Sequence, residues 1–98
     1  MGVSIIENWT DVDGKVRALS PASDIAGQLT VDIAVQRTKP VEGFANLITA
    51  GKGTVLRVYV AIDVAKQSGI AVGLHIHCRV RRGGENRLFA HPTELRIG

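Results

Sequence analysis

The sequence predicts an all-β protein, with five strands in a curled antiparallel sheet or small barrel and one short helix. Apolar and polar residues alternate with a period of two over several segments, which is typical of strands with one buried face. The chain has 98 residues, a length that suits a single domain. Five strands in so short a chain cannot each pack against a layer of helices. Curling the sheet buries one face and removes the exposed edges.

The first two predicted strands cover residues 14–19 and 28–37. In the first, Val16 and Ala18 share the apolar side, and the strand is expected to end at Pro21 because proline cannot donate a hydrogen bond to a central ladder. The apolar side of the second consists of Leu29, Val31, Ile33 and Val35.

Two stronger strands are predicted at 54–62 and 74–82. The inward side of the first is formed by Leu56, Val58, Val60 and Ile62. The inward side of the second is formed by Leu74, Ile76, Cys78 and Val80, so that His75, His77, Arg79 and Arg81 share its outer side. Each strand therefore offers one face to a core and leaves the other face for another role.

The helix is predicted at 63–68, between these two strands. Asp63 is expected to cap its first turn, and Gly69 to end it in the left-handed conformation. The stretch 38–53 is a long connection in which we expect a helical turn over 42–48.

A hairpin is predicted to join 74–82 to 86–90, and the last segment extends over 87–97. Gly83 and Gly84 adopt positive φ at little cost and are expected to form its turn. Pro92 is expected to break the last strand.

The order of these elements over residues 12–97, with the helix between the third and fourth strands, resembles that of the OB-fold. An SH3-like barrel or another small curled sheet fits the same order. The OB-fold resemblance implies oligonucleotide binding across the second and third strands and the loops after strands one and four. Those loops would be 20–27 and 82–87 here.

A second resemblance is local. Residues 58–73, VYVAIDVAKQSGIAVG, are similar to the strand, short helix and Gly-Ile-x-x-Gly unit of AbrB-type swapped-hairpin transcription factors. This resemblance implies DNA binding by an intertwined dimer. The chain departs from the pattern by two additional strands before the unit and by the absence of a proline at Ile62-Asp63. The same unit also occurs in OB-type barrels.

Charge is distributed unevenly along the chain, whose net charge is +3. Residues 1–50 carry four basic and six acidic side chains, whereas residues 51–98 carry eight basic and three acidic ones. A basic second half is suited to an anionic partner such as nucleic acid. The alternative is a solvated surface that is rich in arginine.

The candidate anion-binding residues are Arg57, Tyr59, Arg79, Arg81, Arg82 and Arg87. Tyr59 is the candidate for stacking on a base. We interpret Trp9 and Phe89 as core residues and expect Phe44 to pack within the long connection.

Enzymatic and metal-dependent functions find little support in the sequence. His75 and His77 offer two ligands on one strand face, whereas a zinc site needs three or four. Cys78 is expected to be a buried thiol. Since no arrangement of catalytic residues is visible, we expect a binding protein that uses no cofactor.

The function predicted is non-enzymatic binding of nucleic acid or another anionic ligand. The alternative is a self-assembling structural or protein-interaction module, and a homo-oligomer is expected. The apolar residues of an N-terminal arm, 1–11, could take part in assembly: Val3, Ile5, Ile6 and Trp9. The sequence shows neither a basic leader followed by a long apolar stretch nor an apolar run of about 20 residues, so a cytoplasmic location is expected.

Overall fold

The computed structural model describes residues 6–98, which form a closed β-barrel with one short helix. The strands are β1 (Thr10–Pro21), β2 (Gln28–Pro40), β3 (Val55–Ala61), β4 (His75–Arg82) and β5 (Leu88–Ile97). The helix α1 (Ile62–Ser68) lies between β3 and β4, and a single 3-10 turn (Gly84–Asn86) lies between β4 and β5. The predicted fold class is confirmed.

The strands are ordered β1-β2-β3-β5-β4 around the barrel, and the pairing of β4 with β1 closes it. All neighbours are antiparallel except β3 and β5, which pair in parallel through Val58–Leu88 and Tyr59–Phe89. The barrel is therefore mixed, which differs from the antiparallel sheet that the sequence predicts. An odd number of strands in a closed ring cannot alternate in direction throughout, so one parallel pair is unavoidable.

The core fills the barrel with the inward residues of all five strands. Its buried members are Val12, Val16, Val31, Ile33, Val35, Ile48, Val58, Val60, Ala65, Ile76, Cys78, Val80, Leu88 and Leu95. In β4 the predicted alternation is confirmed, since Ile76, Cys78 and Val80 are fully buried. Leu74, which is predicted to join them, is 41% exposed. It precedes β4 in a turn in which its N–H bonds Ala71 O, and so lies outside the strand alternation.

β1 is longer than predicted and interrupted by two register shifts, between Asp13 and Gly14 and between Val16 and Ala18. Such bulges place consecutive residues opposite one partner and change which side chain faces inward. Val16 is buried, but Ala18 is exposed. The expectation that these two share a face is therefore wrong.

The connection 41–54 contains no helix. Phe44 N–H bonds Val41 O in a tight turn, and a bridge joins Asn8 to Ala45. The predicted helical turn is therefore wrong, because this segment pairs with the chain that leads into β1. The same segment contributes Ile48 to the core. Val3 and Ile5 of the predicted arm lie outside the described residues.

The ends of α1 match the prediction in part. Gly69 ends the helix with φ 74°, as expected from its tolerance of the left-handed region. Asp63 is not the N-cap. It lies inside the first turn, where its Oδ1 accepts a hydrogen bond from the N–H of Val64, and Ala61 occupies the cap position without a side-chain bond. Within 6–98, no helix has the length and apolar character needed to cross a bilayer.

The β4–β5 hairpin forms as predicted, but the residues that turn it are different. Glu85 and Asn86 adopt positive φ (58° and 60°), whereas Gly83 is extended at φ −102°. Gly83 is needed for space: a Cβ there would lie 2.8 Å from the Phe89 ring and 3.2 Å from a terminal nitrogen of Arg81. The glycine thus allows both side chains to lie against the backbone at the base of the hairpin.

Candidate functional site

Three side chains from neighbouring strands form a row on the outer surface of the barrel. Arg81 on β4 pairs with Phe89 on β5, and Phe89 pairs with Tyr59 on β3. The Tyr59 and Phe89 rings are 5.4 Å apart between centroids, and the Arg81 guanidinium carbon lies 4.8 Å from the centroid of Phe89. These distances are within the range of aromatic and cation–π contacts. We call Arg81, Phe89 and Tyr59 the aromatic row.

A groove of about 270 Å³ adjoins the aromatic row. Trp9 and Val64 line it together with the three residues of the row. Mixed apolar, aromatic and cationic walls suit a flat ring that carries negative charge nearby.

The interpretation of Trp9 and Phe89 as core residues is wrong, because both are only partly buried. Phe89 follows the buried Leu88 and Trp9 precedes the buried Thr10. The period of two therefore turns both aromatic rings outward. For Phe89 the signal is present in the sequence, since an inward Leu88 requires an outward neighbour.

A second, more polar pocket of about 460 Å³ lies on the other side of Tyr59. Ser23 and Asp24 from the β1–β2 connection line it, as do Thr30 on β2 and Arg57 on β3. Hydroxyl groups, a carboxylate and a guanidinium thus surround one depression beside the aromatic row.

Asp24 links this pocket to the β4–β5 hairpin. Its Oδ2 accepts a hydrogen bond from Tyr59 OH at 2.8 Å and forms an ion pair with Arg87 at 2.9 Å. The bond from Tyr59 is the main cause that lowers the pKa of Asp24; loss of surrounding water opposes it, and the bond from Arg87 adds to it.

Two of the other four candidate arginines are held by carboxylates of neighbouring strands. Arg57 Nε lies 2.9 Å from Asp32, its cross-strand neighbour on β2, and Arg79 Nε lies 2.9 Å from Asp11 on β1. Hydrogen bonds to these two aspartates raise the pKa of both guanidiniums. Aspartates on the neighbouring strands therefore neutralise the charges of Arg57 and Arg79 on the outer face.

Arg82 and Arg81 are not held by carboxylates of residues 6–98. Arg82 Nε donates to Leu47 O, and its Nη1 donates to Asn86 Oδ1. In the same range, Arg81 takes part in no ion pair. Arg57, Tyr59 and Arg81 thus line the two pockets, and Arg87 pairs with Asp24 at the edge of the polar one. Arg79 is directed towards β1 and Arg82 towards the 41–54 connection.

His75 and His77 both face Asp13 across the β1–β4 seam. His77 Nδ1 lies 2.6 Å from Asp13 Oδ1, His75 Nε2 lies 3.6 Å from the same oxygen, and Arg37 on β2 contacts Oδ2 at 3.2 Å. The described part of the chain contains no group of three or more potential ligands arranged to hold a metal ion. Asp13 and its three partners link β1, β2 and β4 through polar contacts, and we call these four residues the Asp13 cluster.

The lowered pKa of Asp13 leads us to expect that the protein loses stability in acid. Burial is the largest effect on its pKa and would raise it, but hydrogen bonds from His77 and Arg37 outweigh burial and hold the pKa below 3.8. A lowered folded-state pKa contributes stability that is present above the unfolded value and is lost as the pH falls through the folded one. We expect the free energy of unfolding in urea to decrease below about pH 4, with a shallower decrease in Asp13→Asn.

The matched control for this measurement is Asp63→Asn, because Asp63 bonds only within its own helical turn. Its pH profile should follow that of the wild type. A pH profile for Asp13→Asn as steep as the wild-type profile would show that the Asp13 cluster does not contribute to the pH dependence of stability.

Cys78 is buried in the core. Desolvation, assisted by the nearby carboxylates of Asp13 and Asp11, raises its pKa to about 12. Because the thiolate is the nucleophile, this cysteine is unsuited to nucleophilic chemistry at neutral pH.

Comparisons with known proteins do not identify a relative. No protein family, curated protein or solved structure matches this chain.

Proposed function

We propose that this protein is a non-enzymatic binding protein whose ligand is single-stranded nucleic acid. The observation that carries the proposal is the aromatic row, in which Tyr59 and Phe89 stand side by side on the outer surface with Arg81 over Phe89. Aromatic faces stack on any base and contribute about 1–3 kcal/mol per base. Arg81 adds a cation that no carboxylate of residues 6–98 neutralises.

The arrangement of the strands supports the same proposal. A barrel ordered β1-β2-β3-β5-β4, with a helix between β3 and β4, resembles the OB-fold. OB-folds bind oligonucleotides across strands 2 and 3 and the loops that follow strands 1 and 4. Those loops here contain Asp24 and Arg87, which meet beside Tyr59. Because fold alone does not define function, the proposal depends on the side chains.

The side chains also favour one position for the ligand. Arg57 is held by Asp32, whereas the groove next to Phe89 has aromatic and apolar walls. We therefore place the bases over β3 and β5 and the phosphates near Arg81 and Arg87. Salt lowers the affinity because each neutralised phosphate releases counterions.

Replacing Phe89 with alanine tests the stacking. We expect Phe89→Ala to weaken the binding of a fluorescein-labelled oligothymidylate at low salt by roughly tenfold, measured by fluorescence anisotropy. Phe44→Ala is the matched control, since Phe44 is a 40% exposed phenylalanine that lines neither pocket. It should leave the affinity unchanged.

Two outcomes would contradict the proposal. The first is a wild-type protein that binds neither DNA nor RNA at low salt. The second is an equal loss of affinity in Phe89→Ala and Phe44→Ala, which would point to a nonspecific apolar contact. Circular dichroism of each variant establishes that the barrel is intact.

A self-assembling module is the alternative, and exposed apolar residues at one end of the barrel favour it. Val72 and Leu74 are 60% and 41% exposed, and Val55 is 49% exposed. Val55 and Leu74 both lie near Val16 and its partner Ile33 on the paired strands. Light scattering distinguishes the two functions, because a species of the chain mass, 10.5 kDa, at high concentration excludes assembly through this surface.

A further inference from the structure

The carboxylate of Asp24 lies where two donors converge on the proposed ligand-binding surface. Tyr59 OH is 3.1 Å from Oδ1 and 2.8 Å from Oδ2, and Arg87 Nε is 3.1 Å from Oδ2. The two donors come from different elements, β3 and the β4–β5 hairpin, and Asp24 comes from the β1–β2 connection. One side chain thus bridges three segments of the barrel.

The donors that hold Asp24 are the type that phosphate binds. An arginine fork and a hydroxyl group bond carboxylate and phosphate oxygens in the same way. A phosphate group that approaches the aromatic row would compete with Asp24 for Tyr59 OH and Arg87. Asp24 is ionised at neutral pH, as an aspartate ordinarily is, so it also repels a phosphate that has not yet bound.

The contact is displaceable. The side chains of Arg87 and Asp24 are 30% and 40% exposed, and ion pairs of this kind in water contribute little. Asp24 lies outside any strand, in the 22–27 connection. An incoming phosphate therefore breaks no ladder of the barrel when it replaces the carboxylate.

The other carboxylates nearby do not have this geometry. Glu85 contacts only Arg87, at Nη1, and is 75% exposed. Asp32 holds Arg57 within the β2–β3 pair. Only Asp24, among the carboxylates of residues 6–98, engages both Tyr59 and Arg87.

We propose that Asp24 is a built-in competitor of nucleic-acid phosphate, which occupies the phosphate position between Tyr59 and Arg87 and limits the affinity of the free protein. This inference rests on the proposed function. It predicts that removal of a single negative charge from the binding surface increases affinity through the release of Arg87 and Tyr59, in addition to any general effect of net charge.

The test is the affinity of Asp24→Asn for fluorescein-labelled oligothymidylate at low salt, measured by anisotropy. We expect the dissociation constant to fall by about fivefold, since an exposed charge pair contributes an effect of this order. The control is Glu42→Gln, which removes the same charge from an exposed residue that makes no ion pair within residues 6–98. It should change the constant by less than about twofold.

A combined variant separates the release of donors from long-range charge. Asp24→Asn together with Arg87→Gln should show no gain over Arg87→Gln alone, because the guanidinium that Asp24→Asn releases is then absent. If the combined variant keeps the gain, or if Asp24→Asn binds no better than Glu42→Gln while the wild type binds, the competitor role is overturned and the proposed function stands. If neither the wild type nor Asp24→Asn binds, both the inference and the proposed function fail.

Discussion

Gly14→Ala is expected to destabilise the barrel more than any other single methyl addition at the described glycines. Gly14 is buried at the first register shift between β1 and β2, and a Cβ there would lie 2.3 Å from Ala34 O and 2.6 Å from Ile33 Cγ2. The carbonyl oxygen belongs to the backbone of β2 and cannot rotate away as a flexible side chain does. The clash between the added methyl group and Ala34 O is relieved only if β1 and β2 separate locally. Overpacking of this kind costs about 3 kcal/mol, a large part of the stability of a small domain.

The measurement is the free energy of unfolding in urea, with Gly51→Ala as the control. A Cβ at Gly51 would meet no atom within 4 Å beyond its chain neighbours, and the φ of Gly51 lies outside the left-handed region. The same addition there should change the free energy by less than about 0.5 kcal/mol. An equal and small change in both variants would show that β1 and β2 accommodate the methyl group.

Asn8→Ala is expected to have the second largest effect on stability. Asn8 is 2% exposed and replaces a backbone pairing at the end of β4: its Nδ2 donates to Arg82 O at 3.0 Å, and its Oδ1 accepts from Arg82 N–H at 2.7 Å. Truncation of Asn8 leaves the backbone N–H and C=O of Arg82 without these partners. An unsatisfied buried polar group costs about 1–3 kcal/mol, so we expect a loss of about 3 kcal/mol in urea unfolding.

Glu7→Ala is the control for this variant, because Glu7 is the exposed neighbour of Asn8. It should change the free energy of unfolding by less than about 0.5 kcal/mol. A loss in Asn8→Ala no larger than that in Glu7→Ala would mean that water replaces the amide and that the end of β4 does not depend on it. A further sign of the expected role is faster hydrogen exchange at the Arg82 amide in Asn8→Ala.

The strand alternation could be predicted because it is local. Val58 and Val60 in β3 are two positions apart, as are Ile76 and Cys78 in β4, and strand geometry turns each pair to the same side. The alternation failed at Ala18, where a bulge that depends on the partner strand shifts the side chain outward.

Two glycines show the same difference between what local sequence predicts and what depends on tertiary contacts. Gly69 ends α1 with positive φ, as its position after a short helix predicts. Gly83 carries no positive φ, and its reason is the Phe89 ring that lies against it. The sequence around Gly83 does not predict this contact, because the Phe89 ring lies beside Gly83 only once the hairpin has formed.

Only part of the candidate site could be predicted: the sequence indicates Tyr59 and Arg81 as binding residues, but it favours a core position for Phe89 and does not reveal the ion pairs of the arginines. The sequence shows Arg57, Arg79 and Arg87 as basic positions, and it contains the aspartates that neutralise them. Whether two such groups meet depends on register: Asp32 lies opposite Arg57 and Asp11 lies opposite Arg79 only in the pairing that the barrel adopts. The face that the sequence predicts as basic therefore consists of three arginines in ion pairs, Arg82 bound to uncharged acceptors, and Arg81 over the Phe89 ring.

The order of amino acids alone establishes that this protein is built of strands, where most of them run, and which side of most strands faces inward. These properties follow from backbone geometry and from the separation of apolar from polar side chains within a few residues. The folded barrel was needed to show that Tyr59 meets Phe89, that Asp24 holds Tyr59 and Arg87, and that Asn8 completes β4. Those contacts join residues far apart in the chain. Closure of the barrel, which fixes the register of every strand against its neighbour, brings them together.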